Sequence, residues 1–300
     1  MHWFILSLLS ALSLASADAA TKYWLSGYRA RELLLVRFVF SALFLAPLVL
    51  LQPWPQLPVQ FWYWVAALVP LEVAAMLLYM RAIRDYPLAH TVPYLAFTPV
   101  ITTLTGYLLL GETVSAAGFA GILLVVGGAW LLNAERVRGE RGWSWLAPFR
   151  AILSEKGSQL MLVVAVIYSL TSVMGKGAMQ YTTPWFFGAF YFCLLGLVVF
   201  ILYLPAGGGP GVLRRRMMPH LLVGFLMAAM VVTHFLAIQK TEVAYMIAVK
   251  RTSLLFAIGY GALLFGEKRV WRHLLAGGIM LAGVILIGVQ NARAASAGVQ

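Results

Sequence analysis

Charge is scarce in this chain. Of its 300 residues, 11% are Asp, Glu, Lys or Arg, where a soluble domain carries about 25%. That deficit excludes an ordinary water-soluble fold. Acidic residues are scarcer still, at ten against 22 Lys and Arg. The resulting formal charge of +12 would suit a nucleic-acid surface if it were spread over one face. Its distribution, given below, is instead that of a membrane protein's loops, so no nucleic-acid partner is expected. There is one cysteine, Cys193, and no intrachain disulfide can form. Catalytic signatures are missing too. The chain has no HExxH, GxSxG, Walker A or CxxC sequence, and its metal-ligating residues do not cluster. An ATP-driven pump would need a nucleotide module that this sequence does not contain.

Apolar residues are what the chain has in excess: 62% are hydrophobic. They fall in blocks near 20 residues long, the length that crosses a bilayer core of roughly 30 Å. Ten spans are expected, at 3–21, 33–51, 59–81, 87–110, 115–132, 159–177, 184–204, 219–239, 243–265 and 271–290. The expected fold class is therefore an all-α integral membrane protein. The first block also resembles a secretory leader, with a small-residue site at Ala15-Ser16-Ala17. Its start has no Lys or Arg, and the repeat described next requires it as a span.

The chain repeats itself. "YLLLGETVSAAGFAGILLVVGG" begins at Tyr107 and "GALLFGEKRVWRHLLAGGIMLAG" at Gly261. Shifting by 155 residues lays Gly111-Glu112 on Gly266-Glu267, Ala82-Ile83 on Ala237-Ile238 and Ala89 on Ala244. A shift of 154 lays Lys22 on Lys176. Two copies of a five-helix unit account for this: residues 1–132 and 159–292, joined by a charged linker at 133–158 and followed by a short tail at 293–300. Five is odd, so the second unit enters the membrane from the opposite side. The architecture is an inverted-topology repeat, which secondary transporters use for alternating access.

Loop charge agrees with the inversion. Sixteen of the 22 Lys and Arg residues lie in the odd-numbered connections, among them Arg29 and Arg31, Arg81 and Arg84, Arg136, and the run Arg214-Arg215-Arg216. Cytoplasmic loops collect Lys and Arg. The charges predict cytoplasmic odd loops and both termini outside. These loops are expected to touch anionic lipid headgroups.

The stretch "RAIRDYPLAHTVPYLAFTPVITTLTGYLLLGE", followed by "GFAGILLVVGGAWLL", resembles the EamA-type repeat of the drug/metabolite transporter superfamily. "FLAIQKTEVAYMIAVKRTSLLFAIGYGALLFGE" resembles it more loosely. The resemblance covers nearly the whole chain in two copies. It implies ten helices, and a small solute passing through a central cavity. The third, fourth, eighth and ninth helices would line that cavity, with the first and sixth. It also implies a multi-pass protein of the bacterial inner membrane, monomeric or homodimeric. Members of the family usually have cytoplasmic termini, against the orientation the loop charges predict here.

Ionisable groups inside a bilayer are costly, which makes them functional candidates. Glu72 lies midway along the third span and is the only carboxylate near mid-membrane. It is the candidate for taking up and releasing protons, or for a fixed ion pair with Arg37, Lys250 or Arg251. Pro70, two residues earlier, is expected to loosen that helix. At the repeat position of Glu72 stands Met227, so the two half-sites are chemically unequal. Lys250 and Arg251, in the ninth span, favour an anionic or zwitterionic solute. Adjacent helical residues point about 100° apart, so only one of the two is expected to meet it. Asp18 and Lys176 end the first and sixth spans.

Thr91, Tyr94, Thr98, Thr102 and Thr105 fall on one face of the fourth span. That face lines a cavity or makes hydrogen bonds to a neighbouring helix. Tyr79 and His234 are repeat equivalents, as are His90 and Tyr245, and each pair can offer hydrogen bonds from both halves. The Gly-Glu pairs mark helix ends, with Gly allowing the turn and Glu reaching water. The glycines around Gly121, Gly128 and Gly283 allow close helix packing.

The expected function is secondary transport of a small metabolite or amphipathic compound, with possible proton coupling and no cofactor or metal. Export or exchange is implied by the resemblance. A flippase for a phosphate-bearing lipid is an alternative within transport, and a membrane enzyme acting on lipid, or a scaffold, is one outside it. A mid-membrane cavity favours transport, a surface cleft an enzyme, and a tightly packed interior a scaffold.

Overall fold

The computed structural model describes residues 2–86, 92–141, 155–205, 210–265 and 274–297. His90, Thr91 and the pair Gly266-Glu267 lie outside these, as does most of the linker. The described residues are helical, with no strand among them. The long helices are α1 (His2–Trp24), α2 (Ala30–Leu50), α3 (Val59–Asp85), α4 (Thr98–Leu110), α5 (Ala116–Arg141), α6 (Lys156–Met179), α7 (Pro184–Tyr203), α8 (Met217–Ile238), α9 (Val243–Lys250), α10 (Ser253–Phe265) and α11 (Leu274–Ala297). A 3-10 segment, Val92–Phe97, leads into α4, and a one-turn helix, Gly211–Arg214, precedes α8.

Local chemistry sets the boundaries. Pro58 precedes α3, while Pro70 stays within it without ending it. Thr183 caps α7: its hydroxyl accepts from Phe186 N at 3.2 Å, with Pro184 as the first helical residue. Gly111 ends α4 at φ 68°, the left-handed conformation that glycine adopts without a Cβ penalty.

Seven stretches, α9 and α10 being taken together as Val243–Gly261, are long and apolar enough to cross a membrane. Shorter apolar helices run over Tyr94–Leu110, Ala116–Leu131 and Leu275–Gln290. Large apolar side chains are turned outward along them, including Leu43, Leu104 and Leu197. In water such a surface would aggregate. In lipid it is the natural exterior, because helices satisfy their own backbone hydrogen bonds.

The helices pack mainly between the two halves of the chain. α1 lies on α8, α2 on α7, α3 on α6, and α5 on α11. α6 also meets α4, and α1 meets α9 and α10. The main apolar core lies among α1–α3 and α6–α8. A second joins α5, α9 and α11. The break that separates α9 from α10 falls at the sequence equivalent of the step from the 3-10 segment into α4. Thr98–Leu110, shifted by 155, is Ser253–Phe265.

Glycine lets α5 and α11 come close. A Cβ on Gly283 would stand 2.6 Å from Gly121 O and 2.8 Å from Val125 N. Those are backbone atoms and cannot swing aside. Gly278, on the same helix, would meet nothing within 4 Å. Gly283→Val is therefore expected to lower the thermal midpoint in detergent, at a cost of about 1–3 kcal/mol or more, while Gly278→Val leaves it nearly unchanged. Equal midpoints for the two variants would show that this contact is not tight.

Candidate functional site

A cavity of about 110 Å³ lies in the middle of the bundle. α3 contributes Glu72, Met76 and Tyr79 to its wall, and α6 contributes Tyr168, Thr171 and Ser172. α8 adds Met227, Met230, His234 and Phe235, and α9 adds Ile247 and Lys250. Arg251 enters from the break between α9 and α10, Arg37 from α2, and Tyr191 and Phe192 from α7. Both halves of the chain thus build it. The wall is mostly aromatic and thioether surface with a few charged groups, the usual composition of a small-molecule site.

Each charged group has a distinct environment. Arg37 is 1% exposed and forms an ion pair with Asp18. Its Nη2 also donates to Thr21 Oγ1 at 3.2 Å, and the Tyr79 hydroxyl donates to Asp18 Oδ2 at 3.0 Å. Asp18 thus joins α1, α2 and α3. Lys250 Nζ stands 3.2 Å from His234 Nδ1 and 3.2 Å from Met230 Sδ. His234 accepts from this ammonium in the tautomer that carries its proton on Nε2.

Glu72 shares the cavity wall with Thr171 and Lys250. Among the described residues no ion pair within 4 Å joins it to Arg37, Lys250 or Arg251. The fixed pairing open to it in the sequence is not formed among the described residues: Asp18 holds Arg37, and Lys250 stands against His234 and Met230. Arg251 is 6% exposed, its Nε has no hydrogen-bond partner, and its side chain lines the cavity.

Of the residues singled out in the sequence, Glu72, Tyr79, His234, Lys250 and Arg251 line this cavity, and Asp18 touches it through Arg37 and Tyr79. Only one of Lys250 and Arg251 was expected to face it, but the helix breaks after Lys250 and both do. Four others lie elsewhere. Tyr94 is buried and hydrogen-bonded to Ser158, and Thr98 O accepts from Ser169 Oγ at 3.2 Å. Tyr94 thus meets α6, while the Thr98 and Thr105 hydroxyls turn back onto carbonyls of their own segment and Thr102 Oγ1 has no partner. Tyr245 binds Ser115 through its hydroxyl, at 3.1 Å from N and 3.2 Å from Oγ.

Lys176 clasps Glu112. Its Nζ is 2.5 Å from Glu112 Oε1 and 2.6 Å from Thr241 O, and Glu112 Oε2 accepts from Val243 N at 2.8 Å. Glu112 was expected to reach water. It instead stitches the end of α4 to the end of α6 and the start of α9, because the turn at Gly111 directs it inward. His90 lies outside the described residues.

Sequence reasoning missed Tyr168, Thr171 and Tyr191. Tyr168 and Thr171 stand three residues apart in an apolar span. That is a faint signal, equally consistent with interhelical bonding.

Comparison with known proteins fits this geometry. The EamA-like transporter family matches at residues 1–134 and again at residues 155–289. The chain belongs to the EamA-like transporter family. This EamA-like protein is accordingly a multi-pass membrane protein of a transporter family within the drug/metabolite transporter superfamily. A solved structure, described as "Crystal structure of protein", is similar to it with a TM-score of 0.73 and 14% identity, over 96% of this chain and 98% of that one. Identity at that level speaks for a shared fold alone. Among curated proteins no match is found.

Proposed function

We propose that this EamA-like protein is a secondary active transporter that moves a small amphipathic metabolite by alternating access. In this reading ten spans form two inverted five-helix halves in a bacterial inner membrane, with the basic loops in the cytoplasm and both termini outside. The observation that carries it is the central cavity, built by both halves and holding a carboxyl group, Glu72, without an ion-pair partner among the described residues. The packing supports the inversion. Exchanging the halves turns the α1–α8 contact into the α6–α3 contact, and it maps α2–α7 and α5–α11 onto themselves. The matching breaks before Thr98 and Ser253 support it as well. Discontinuous helices near the midplane are where transporters form their sites.

The substrate carries a negative group and an apolar body in this reading. Asp18 pairs with Arg37 through Nη2 and balances its charge, while Arg37 Nε and Nη1 have no hydrogen-bond partner. Arg251 is a permanent cation whose Nε is buried without a partner, and a buried donor left unpaired is costly. A carboxylate or phosphate supplies the missing acceptor, while the Met and aromatic wall covers the rest. Glu72 moves the coupling proton, opposite Lys250.

The test is transport by reconstituted protein under an imposed pH gradient. The probes are benzoate, phenyl phosphate and phenethylamine, each radiolabelled. An anion should accumulate, and a protonophore should abolish the accumulation. Glu72→Gln should keep equilibrium exchange but lose about tenfold or more of the gradient-driven accumulation. If Glu72→Gln concentrates the anion as the parent does, Glu72 does not couple protons. If no probe is exchanged, or phenethylamine alone is, the anion reading fails.

A further inference from the structure

A second pocket lies away from the cavity, at the end of the bundle where α1 stops and α8 begins. It encloses about 500 Å³, its open side included, and is lined by Trp24, Ser26, Gly27, Tyr28, Arg215 and Arg216. Arg216 Nη1 donates to Trp24 O at 2.6 Å, and the Arg215 guanidinium lies over the Tyr28 ring, 5.5 Å from its centroid. The turn between α1 and α2 is thereby joined to the turn before α8. Tyr28 is fixed from below by His220, whose Nε2 is 3.2 Å from the Tyr28 hydroxyl. Burial lifts that hydroxyl above its ordinary range, so it keeps its proton.

Donors in this pocket outnumber acceptors. The amides of Ser26 and Gly27 donate to no described group. Both residues line the pocket together with Arg215 and Arg216. The nearby carboxylate, Glu32, accepts from the Arg29 amide at 2.6 Å. Consecutive free backbone amides form an anion-binding nest, and paired arginines match the oxygens of a phosphate. The rim is interfacial. Tyr23 and Trp24 are exposed at the end of α1, and Met217 and Met218 at the start of α8. Aromatic residues in such positions mark the headgroup level of a bilayer.

We infer that this pocket is an anionic phosphate site at the membrane surface, seating the headgroup phosphate of an acidic phospholipid between the α1–α2 turn and Arg215-Arg216. A lipid there fastens the first helix of one half to the third helix of the other. The site stands independently of the transport reading. The acidic lipids it needs are those of the cytoplasmic leaflet, the side that the loop charges assign to this end of the bundle. A free phosphate ion offers the same oxygens, without the acyl chains that would lie along the exposed methionines.

The experiment is thermal unfolding of the full chain in delipidated detergent micelles. Phosphatidylglycerol, phosphatidylcholine or inorganic phosphate is titrated in. Occupancy at about ten times Kd should raise the midpoint by roughly 3 °C or more. Phosphatidylglycerol is expected to do this and phosphatidylcholine to do much less. The Arg215→Gln/Arg216→Gln double variant should lose most of the shift. Arg81→Gln, which removes a basic charge elsewhere on the same side, should keep it. If the double variant is itself unstable without lipid, Arg215→Gln alone decides, since it leaves the Arg216–Trp24 bond in place, and it should lose about half the shift. A shift that survives in these variants, or that Arg81→Gln removes equally, overturns the site. So does the absence of a shift with both phosphatidylglycerol and phosphate. If inorganic phosphate reproduces the full shift and the variants lose it, the phosphate site stands and the lipid is rejected as its source.

Discussion

Replacing Arg251 by methionine should make the ligand-free protein more stable and its transport much worse. The two effects have one cause. Arg251 is 6% exposed, its Nε lacks a partner, and it faces the cavity. Leaving that buried donor unpaired costs folding energy, and methionine removes the cost while filling much of the same space. Each kcal/mol recovered should raise the thermal midpoint by about 2–4 °C in a chain of this size. The substrate then loses its charged contact. Truncating one side of a buried charged pair costs about 2–5 kcal/mol in binding, which is roughly 30-fold or more in affinity. Anion exchange by reconstituted protein and unfolding in detergent measure the two sides. Arg251→Lys should fall between, since it keeps the charge and loses the fork. A fall in stability with Arg251→Met would make Arg251 a structural residue instead.

The second large effect is expected at Asp18. Asp18→Asn leaves the Arg37 guanidinium 1% exposed and without its counter-ion. Breaking a buried pair from one side costs about 3–5 kcal/mol, and the Tyr79 hydroxyl loses its charged acceptor as well. The midpoint should drop on the order of 10 °C. Replacing both partners, as Asp18→Leu with Arg37→Met, should restore most of the loss, because no orphaned charge is left behind. A single variant as stable as the parent would show that water reaches Arg37 and solvates it.

The sequence and the structure agree where one physical rule dominates. Blocks of apolar residues predict helices, because a buried backbone in lipid has to satisfy itself. The start of α7 at Pro184 and the end of α4 at Gly111 are written in proline, threonine and glycine. Partnerships between distant helices are less legible. Asp18 and Arg37 look unrelated in the sequence, yet both stand about two turns from the short connection between α1 and α2, and the fold pairs them. Glu112 looks like a water-seeking helix end until Lys176 and the Val243 amide are found around it. Tyr94 and Thr98 share a polar face, but periodicity cannot say that Tyr94 meets α6 while the Thr98 hydroxyl turns back onto its own segment. Tyr168 and Tyr191 carry no pattern that separates them from ordinary packing residues. They matter because α6 and α7 place them around one space.

Glu72 and Met227 occupy matching positions in the two copies, and both face the same cavity. Two separate chains of one sequence, assembled around a two-fold axis, must present every wall residue in duplicate. Such a pair would bring together either two carboxyl groups, which repel when ionised, or two thioethers, which cannot carry a proton. Fusion into one polypeptide lifts that restriction. One acid can then stand alone against a soft, polarisable surface, and proton handling and shape-fitting can be altered separately in later mutations.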